Sequence, residues 1–426
     1  MITSGWLQCI KCGTQFPLDE IRYLCTCQGL LASQRPPGWA RGVSTALFDS
    51  RRLGNRSEID QSGVWRFREG VLDAMPSEIV THPEGATRLY RRKPLSLWAG
   101  IEELGFKHEG ENPTASFKDR GMTVAITHAV RLKARAVACA STGNTSSSLA
   151  AYAAQAGLGA VVFVPSGKVS MGKLAQTLAY GALTLKVAGD FDAAMDLVMR
   201  ASQALGIYLV NSVNPFRVEG QKTIIWEILQ DLGWKPPDWI AFPAGNLGNT
   251  SAFGKALKEA YEAGWIAKVP RLLAVQAAGA NPFFKSFGEK WARRYKVKAE
   301  TVATAIRIGD PVSHDRARES IDYTHGVVTE VTDPELLEAK RHIDMSGLGC
   351  EPASACSLAG ARKMRQAGVI GEKESVVCVL TGHLLKDTDT VMQQITSESS
   401  ERVVEIEPTL EAVERAVAGR FSESGR

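Results

Sequence analysis

The sequence predicts an α/β protein made of two three-layer units, with a short cysteine-bearing segment ahead of them. Three observations carry that prediction. Short apolar runs begin near Ala136 (AVACA), Ala160 (AVVFV), Leu183 (LTLKV) and Ile207 (IYLVN), at intervals of 24, 23 and 24 residues, with Ala-, Leu- and Met-rich stretches between them. A strand plus a helix repeating at that interval is what βαβ units with a parallel sheet produce. A second set of runs at 239–242, 272–275, 327–331 and 376–380 alternates with helical segments such as 252–263 and 334–345, and marks another, larger α/β unit. The third observation is size. The chain has 426 residues, 44% hydrophobic and 23% charged, which suits a buried core and about two or three domains.

The same numbers exclude several classes. Fifty basic against 46 acidic residues leave a net charge of only +4, too small and too interspersed for a nucleic-acid or membrane surface. The basic cluster Arg88, Arg91, Arg92 and Lys93 reads as a solvated face. No apolar run approaches the roughly 20 residues that span a bilayer. The start, Met-Ile-Thr-Ser-Gly-Trp, lacks the features of a signal peptide, so a reducing, cytoplasmic setting without disulfides is expected. Residues 31–100 give little periodic signal, being broken by Pro36, Pro37, Pro83 and Pro94. Beyond Asp389 the chain is polar, and one amphipathic helix is expected over 408–417.

Eight cysteines are unevenly placed. Cys139, Cys350, Cys356 and Cys378 sit in apolar or small-residue segments, whereas Cys9, Cys12, Cys25 and Cys27 crowd the first 27 residues. Cys9-x2-Cys12 and Cys25-x-Cys27 are spaced like a small zinc ribbon, and four thiolates make a closed, structural site for Zn²⁺. The second knuckle is one residue short of C-x2-C. The alternative is therefore a degenerate ribbon that has lost its metal.

Three loops lie where a strand gives way to a helix, the place where open α/β sheets bind ligands. They are Ser141-Thr142-Gly143-Asn144-Thr145, Gly245-Asn246-Leu247-Gly248-Asn249 and Thr381-Gly382-His383. Backbone N–H groups at a helix start lack partners, so a loop without bulky side chains admits an anion there. Tight turns alone would account for any single loop. No dinucleotide fingerprint and no P-loop occurs. In Glu111-Asn112-Pro113-Thr114-Ala115-Ser116-Phe117-Lys118-Asp119-Arg120-Gly121, Lys118 precedes a helical pattern over 122–132. The dipole and partial desolvation there would lower its pKa and sharpen it as a nucleophile; an ordinary surface lysine is the other reading.

The string NPTASFKDRG around Lys118 resembles the cofactor-lysine segment of fold-type II pyridoxal phosphate enzymes, and within them the threonine synthase family. STGNTSSSLAAYAA at 141–154, NSVNPFR at 211–217, GNLGNT at 245–250, ATAIRIGDP at 303–311, EPASA at 351–355 and VLTGHLLKD at 379–387 extend the likeness, collinearly, from about residue 85 to 390. The family's tryptophan synthase beta-like fold implies a cofactor between a large domain (31–121 and 209–390) and a small one (122–208), after a zinc-ribbon-like segment (1–30) and before an extension (391–426).

The resemblance implies that Lys118 holds pyridoxal 5'-phosphate and shuttles protons. Gly245, Asn246, Leu247, Gly248 and Asn249 would cradle the cofactor phosphate, Asn144 would meet the phenolic oxygen and Thr381 the ring nitrogen. The family substrate, O-phospho-L-homoserine, would place its carboxylate at Ser141, Thr142 and Thr145. Its phosphate would lie on Lys173, Asn211, Ser212 and Arg217, with Thr145 nearby. Arg217 pairing with Glu219, and Lys173 on a solvated helix face, are the bland alternatives. The implied reaction is γ-elimination of phosphate followed by β-addition of water, giving L-threonine in a homodimer without nucleic-acid or membrane partners. No S-adenosylmethionine-responsive region is expected. His383 is read either as a proton relay or as a structural cap, and Leu384 replaces a common Gly. Rival functions are threonine dehydratase, cysteate synthase, or an inactive scaffold carrying a zinc-ribbon interaction module. The ribbon itself would dock or cap.

Overall fold

The strands run in chain order as β1 (Trp6–Cys9), β2 (Gln15–Pro17), β3 (Leu31–Gln34), β4 (Leu89–Tyr90), β5 (Leu104–His108), β6 (Ala136–Ala140), β7 (Gly159–Pro165), β8 (Leu183–Val187), β9 (Tyr208–Leu209), β10 (Trp239–Pro243), β11 (Arg271–Ala277), β12 (Val327–Val331) and β13 (Val376–Leu380). This computed structural model describes residues 5–54, 57–166, 171–398 and 404–421. They form two compact units, Met1–Lys386 and Asp387–Arg426.

Two parallel sheets organise the first unit. The larger has the order β12-β11-β10-β13-β5-β4, parallel except for β4, and the smaller has the order β8-β7-β6-β9, all parallel. The central strands β6, β10 and β13 are buried on both faces and read as continuous apolar runs, whereas β8, at the edge of the smaller sheet, is largely exposed. In β10, Ile240 and Phe242 face one core while Trp239 and Ala241 face another. In β6, Val137 and Cys139 enter one core and Ala138 and Ala140 the opposite one. Each sheet is thus the middle of three layers.

The expected strands at 136, 160, 183, 239, 272, 327 and 376 are present, while IYLVN contributes only the two-residue β9. The helical segments are Lys118–Arg131, Gly248–Glu262 and Asp333–Met345. Unforeseen was β5, LGFKH, which pairs with β13 and lies wholly buried. Its Lys107 Nζ is neutralised by Glu227 and Asp231 at 2.6 and 2.8 Å. Residues 31–100 fold by aromatic packing instead of periodicity: Trp39, Phe48 and Phe67 interlock with Trp226, Trp234 and Trp265.

The N-terminal segment is a three-stranded antiparallel sheet, β2-β1-β3. Its Leu7, Cys9, Leu18, Cys25 and Leu31 join the large core, and Tyr23 and Leu30 pack against a core of the small sheet. In the second unit, the helix expected over 408–417 forms as Leu410–Phe421, started by Thr409, whose hydroxyl accepts from Ala412 N. Among the described residues no helix is long and apolar enough to cross a membrane.

Candidate active site

Lys118 opens the helix Lys118–Arg131, and the two residues after it lock its position. The Asp119 carboxylate accepts from Thr114 N, Thr114 Oγ1 and Ser148 Oγ at 2.6–2.7 Å. Arg120 forms a fork with Glu109, both bonds at 2.7 Å, and reaches Glu227 Oε1 at 2.9 Å. Removing either partner of such a buried pair leaves an uncompensated charge, so the helix start is rigid. The preceding turn is fixed to the end of β13: Phe117 N donates to Thr381 O and His383 N to Ala115 O. The Lys118 amine is half-buried. Desolvation first, then the nearby Arg217 charge, bring its pKa down to about 7 against the opposing pull of Glu351. This lysine is poised near neutrality and is no ordinary surface residue.

Glycines bring Arg217 to that amine. It lies on the short helix Pro215–Gln221. A Cβ on Gly220 would fall 1.7 Å from Arg120 O, and one on Gly121 would fall 2.9 Å from Arg217 O. Only bare backbone allows the two helices to cross so closely. Arg217 as a whole is 3% exposed; its guanidinium donates through Nη1 to Val210 O at 3.0 Å and leaves Nε without a partner. Burial drives its pKa down to about 10. The pairing with Glu219 does not form. Glu219 is taken by Arg35, Lys222 and Lys255. A buried cation without a carboxylate partner is expensive, and an anionic ligand is what would offset that cost.

The loops sit at the carboxyl ends of strands from both sheets. Ser141–Thr145 follows β6, and all five residues are half-buried. Ser141 Oγ accepts from Gly143 N, and Gly143 O accepts from Ser146 N and Ser147 N at the start of the helix Asn144–Gln155. The loop 245–249 follows β10 and enters the 15-residue helix Gly248–Glu262. Leu247 is buried there at φ 64, a left-handed conformation that costs a non-glycine residue roughly 1 kcal/mol. Gly245 lies against Ile306, where a Cβ would come within 2.9 Å. Asn246 bonds Ser212 Oγ through Nδ2 and accepts from Val312 N through Oδ1. Asn249 Oδ1 and Thr250 Oγ1 are buried without partners.

Other expected residues are engaged with their neighbours. Asn211 exchanges two bonds with the Ala140 backbone, at 2.9 and 3.0 Å, and so fixes the end of β6 just before the Ser141 loop. Thr381 Oγ1 pairs with Ser354 Oγ at 3.0 Å and donates to Glu351 Oε1 at 3.1 Å. Asn144 Nδ2 donates to Glu351 Oε2 at 3.0 Å. Lys173 falls within the helix Met171–Ala179, and its side chain lies outside the described residues. His383 Nδ1 accepts from Leu385 N in the following turn. Leu384 fills the space beside Gly349, where a Cβ would clash with it at 2.2 Å.

Sequence reasoning missed Glu351 and Lys386. Glu351 stands at the hub of Asn144, Thr381 and Lys118; burial raises its pKa, and Asn144 and Thr381 oppose that. Its place at the head of EPASA, just before a helix of small residues, was the available signal. Lys386 Nζ binds Thr114 O, Ser147 Oγ and Gln176 Oε1 at 2.6–3.1 Å, tying the Lys118 turn to two helices packed on the smaller sheet. Nothing in its local pattern marked it.

Away from this site, the Sγ atoms of Cys9, Cys12, Cys25 and Cys27 lie within 4.8 Å of one another. Three of the contacts are 3.4–3.5 Å. A tetrahedral ion at about 2.3 Å from each sulfur needs edges of roughly 3.8 Å. Gly29 leaves room for the thiols, since a Cβ would sit 2.6 Å from Cys9 Sγ.

With this geometry in view, the sequence profile described as "Pyridoxal-phosphate dependent enzyme" matches residues 80–382. A threonine synthase of Methanocaldococcus jannaschii is 42% identical over 96% of this chain and 98% of its own, and one of Methanosarcina acetivorans is 42% identical over 97% and 99%. The chain belongs to the threonine synthase family. Among solved structures, threonine synthase from Escherichia coli superposes with a TM-score of 0.69, covering 96% of this chain and 94% of its own at 19% identity, and so shares the fold.

Family membership brings pyridoxal phosphate as the cofactor, and the residues fit it. The unpartnered Thr250 hydroxyl, a donor, together with the backbone N–H groups at the start of the Gly248–Glu262 helix beyond the strained Leu247, suits a phosphate. The lowered Lys118 amine suits a carbonyl carbon.

Proposed function

We propose that this chain converts O-phospho-L-homoserine and water into L-threonine and phosphate. The observation that carries the reading is Arg217: a buried, acid-free guanidinium whose charge reaches Lys118, as a substrate bearing a phosphate near the reacting carbons requires. Thirty-minute incubations of the purified holoenzyme with O-phospho-L-homoserine and with O-phospho-L-serine, scored for phosphate and for threonine, test it. Phosphate and threonine from the first compound alone are expected; no phosphate from it removes the proposal.

Bound pyridoxal phosphate supplies an electron sink for charge developing at Cα and Cβ of the substrate. The chain's own groups do the rest. Lys118, titrating at about 7, exchanges protons with those carbons near neutral pH. Backbone N–H groups of Gly245, Asn246, Leu247, Gly248 and Asn249 would hold the cofactor phosphate. Asn144 and Thr381, oriented by Glu351, would hold the cofactor ring at its phenolic oxygen and its nitrogen; a Thr hydroxyl cannot keep a proton on a ring nitrogen as a carboxylate would. Ser141, Thr142 and Thr145 receive the substrate carboxylate at a helix start. Ser212, Arg217 and Lys173 bind the phosphate, with Asn211 setting the loop. Residues 122–208 act as the small domain that closes over the substrate and excludes bulk water, while 31–121 and 209–390 form the large domain and 391–426 an extension. The four thiolates of Cys9, Cys12, Cys25 and Cys27 hold one structural Zn²⁺, to be checked by metal analysis. A cytoplasmic homodimer without nucleic-acid or membrane partners completes the reading.

A further inference from the structure

We propose that the cysteine ribbon is a positioning module for the substrate's phosphate group, acting through Tyr23. The inference rests on the phosphate-ester substrate read above. Two contacts from the ribbon, one direct and one through His128, and a third from Arg35 just beyond it converge on residues 208–219, the segment carrying Asn211, Ser212 and Arg217. Tyr23, two residues before Cys25, accepts from Leu209 N through its hydroxyl at 2.6 Å, and its ring meets Tyr208 edge-on at 6.0 Å. Leu18 O, between the two cysteine pairs, bonds His128 Nε2 at 2.7 Å. A carbonyl only accepts, so that nitrogen carries the proton. His128, held neutral by burial at a pKa of about 4, then accepts through Nδ1 from the Tyr208 hydroxyl at 2.8 Å. The same imidazole stacks at 3.6 Å on Phe216, the neighbour of Arg217. Arg35, just after β3, pairs at 3.0 Å with Glu219, two residues beyond Arg217.

The cysteines set the spacing of these contacts. Leu18 lies in the loop between Cys12 and Cys25, and Tyr23 next to the second knuckle, so the converging thiols fix both loops relative to β1 and β3. Leu209 is the last residue of β9, and Asn211 follows it by two. The Tyr23 hydroxyl therefore holds the strand end from which the phosphate-binding turn departs. A side chain 2.6 Å from that backbone acts on the ligand only through the residues it positions.

Tyr23→Phe removes the acceptor and keeps the ring. The expected result is a rise of about three- to tenfold in both KM for O-phospho-L-homoserine and the inhibition constant of inorganic phosphate, the size of one hydrogen bond. Turnover should stay within about twofold of wild type, because the carbon chemistry at Lys118 is untouched. Cofactor absorbance and zinc content should be unchanged. Stripping the holoenzyme with a chelator under reducing conditions should shift the phosphate constant in the same direction, and added Zn²⁺ should restore it. An unmoved phosphate constant in both the variant and the stripped enzyme overturns the proposal. So does a variant that loses melting temperature and cofactor without any change in phosphate affinity, the signature of a merely stabilising ribbon. Wild-type enzyme in the same assay separates the two levels: failure to turn over O-phospho-L-homoserine removes the function itself, whereas normal turnover with an unmoved Tyr23→Phe removes only this inference.

Discussion

Arg217→Met should make the protein more stable and nearly inactive. In the native state burial lowers the guanidinium from its ordinary 12.5 to about 10. A base with a depressed native pKa carries a cost that is present in full below the native value and vanishes above the unfolded one, so at neutral pH the whole cost applies. At 1.36 kcal/mol per pH unit it amounts to about 3 kcal/mol. Methionine removes that cost but leaves Val210 O without its donor, which returns about 1 kcal/mol. The net expectation is about 2 kcal/mol of added stability for the ligand-free chain, read as a higher denaturant midpoint. Catalysis moves oppositely. Each charge-assisted hydrogen bond to a phosphate is worth about 1.5–3 kcal/mol, so losing two reduces kcat/KM by roughly a hundred- to ten-thousandfold, with cofactor still bound. A destabilised variant with kcat/KM within threefold of wild type would show that Arg217 is a packing residue and refute the reasoning.

Two further outcomes follow from the same geometry. In cofactor-free enzyme, the rate of reconstitution with pyridoxal phosphate should rise with pH around a midpoint of about 7, because the neutral amine attacks and Lys118 is neutral above that value; a midpoint near the ordinary lysine value of 10.5 contradicts the desolvated site. Glu351→Gln deletes the negative charge that favours the Lys118 cation, so that midpoint should fall further, and kcat should drop about tenfold as Asn144 or Thr381 loses its acceptor; an upward shift would remove Glu351 from the hub.

The central strands β6, β10 and β13 were legible because they are apolar on both faces, and they fall where their residues alone place them. β5 was hidden by its own chemistry. Lys107 and His108 break the apolar run, and only the distant Glu227 and Asp231 make Lys107 tolerable inside a strand. The site was legible through its loops, since a glycine-flanked turn after a strand has a local signature. Lys386 has none and Glu351 only its place at the head of EPASA, because their roles arise from partners 30 to more than 200 residues away. Sequence left Arg217 between Glu219 and a ligand; three competing cations around Glu219 remove the first of these. The ribbon's bearing on residues 208–219 likewise exists only in three dimensions.

The most direct measurement of the central claim is the stoichiometry of turnover: purified holoenzyme with O-phospho-L-homoserine, phosphate and L-threonine quantified together over time. Equimolar release of the two, abolished in Lys118→Ala, is the predicted result. Absence of phosphate release, or phosphate unaccompanied by threonine, would contradict it.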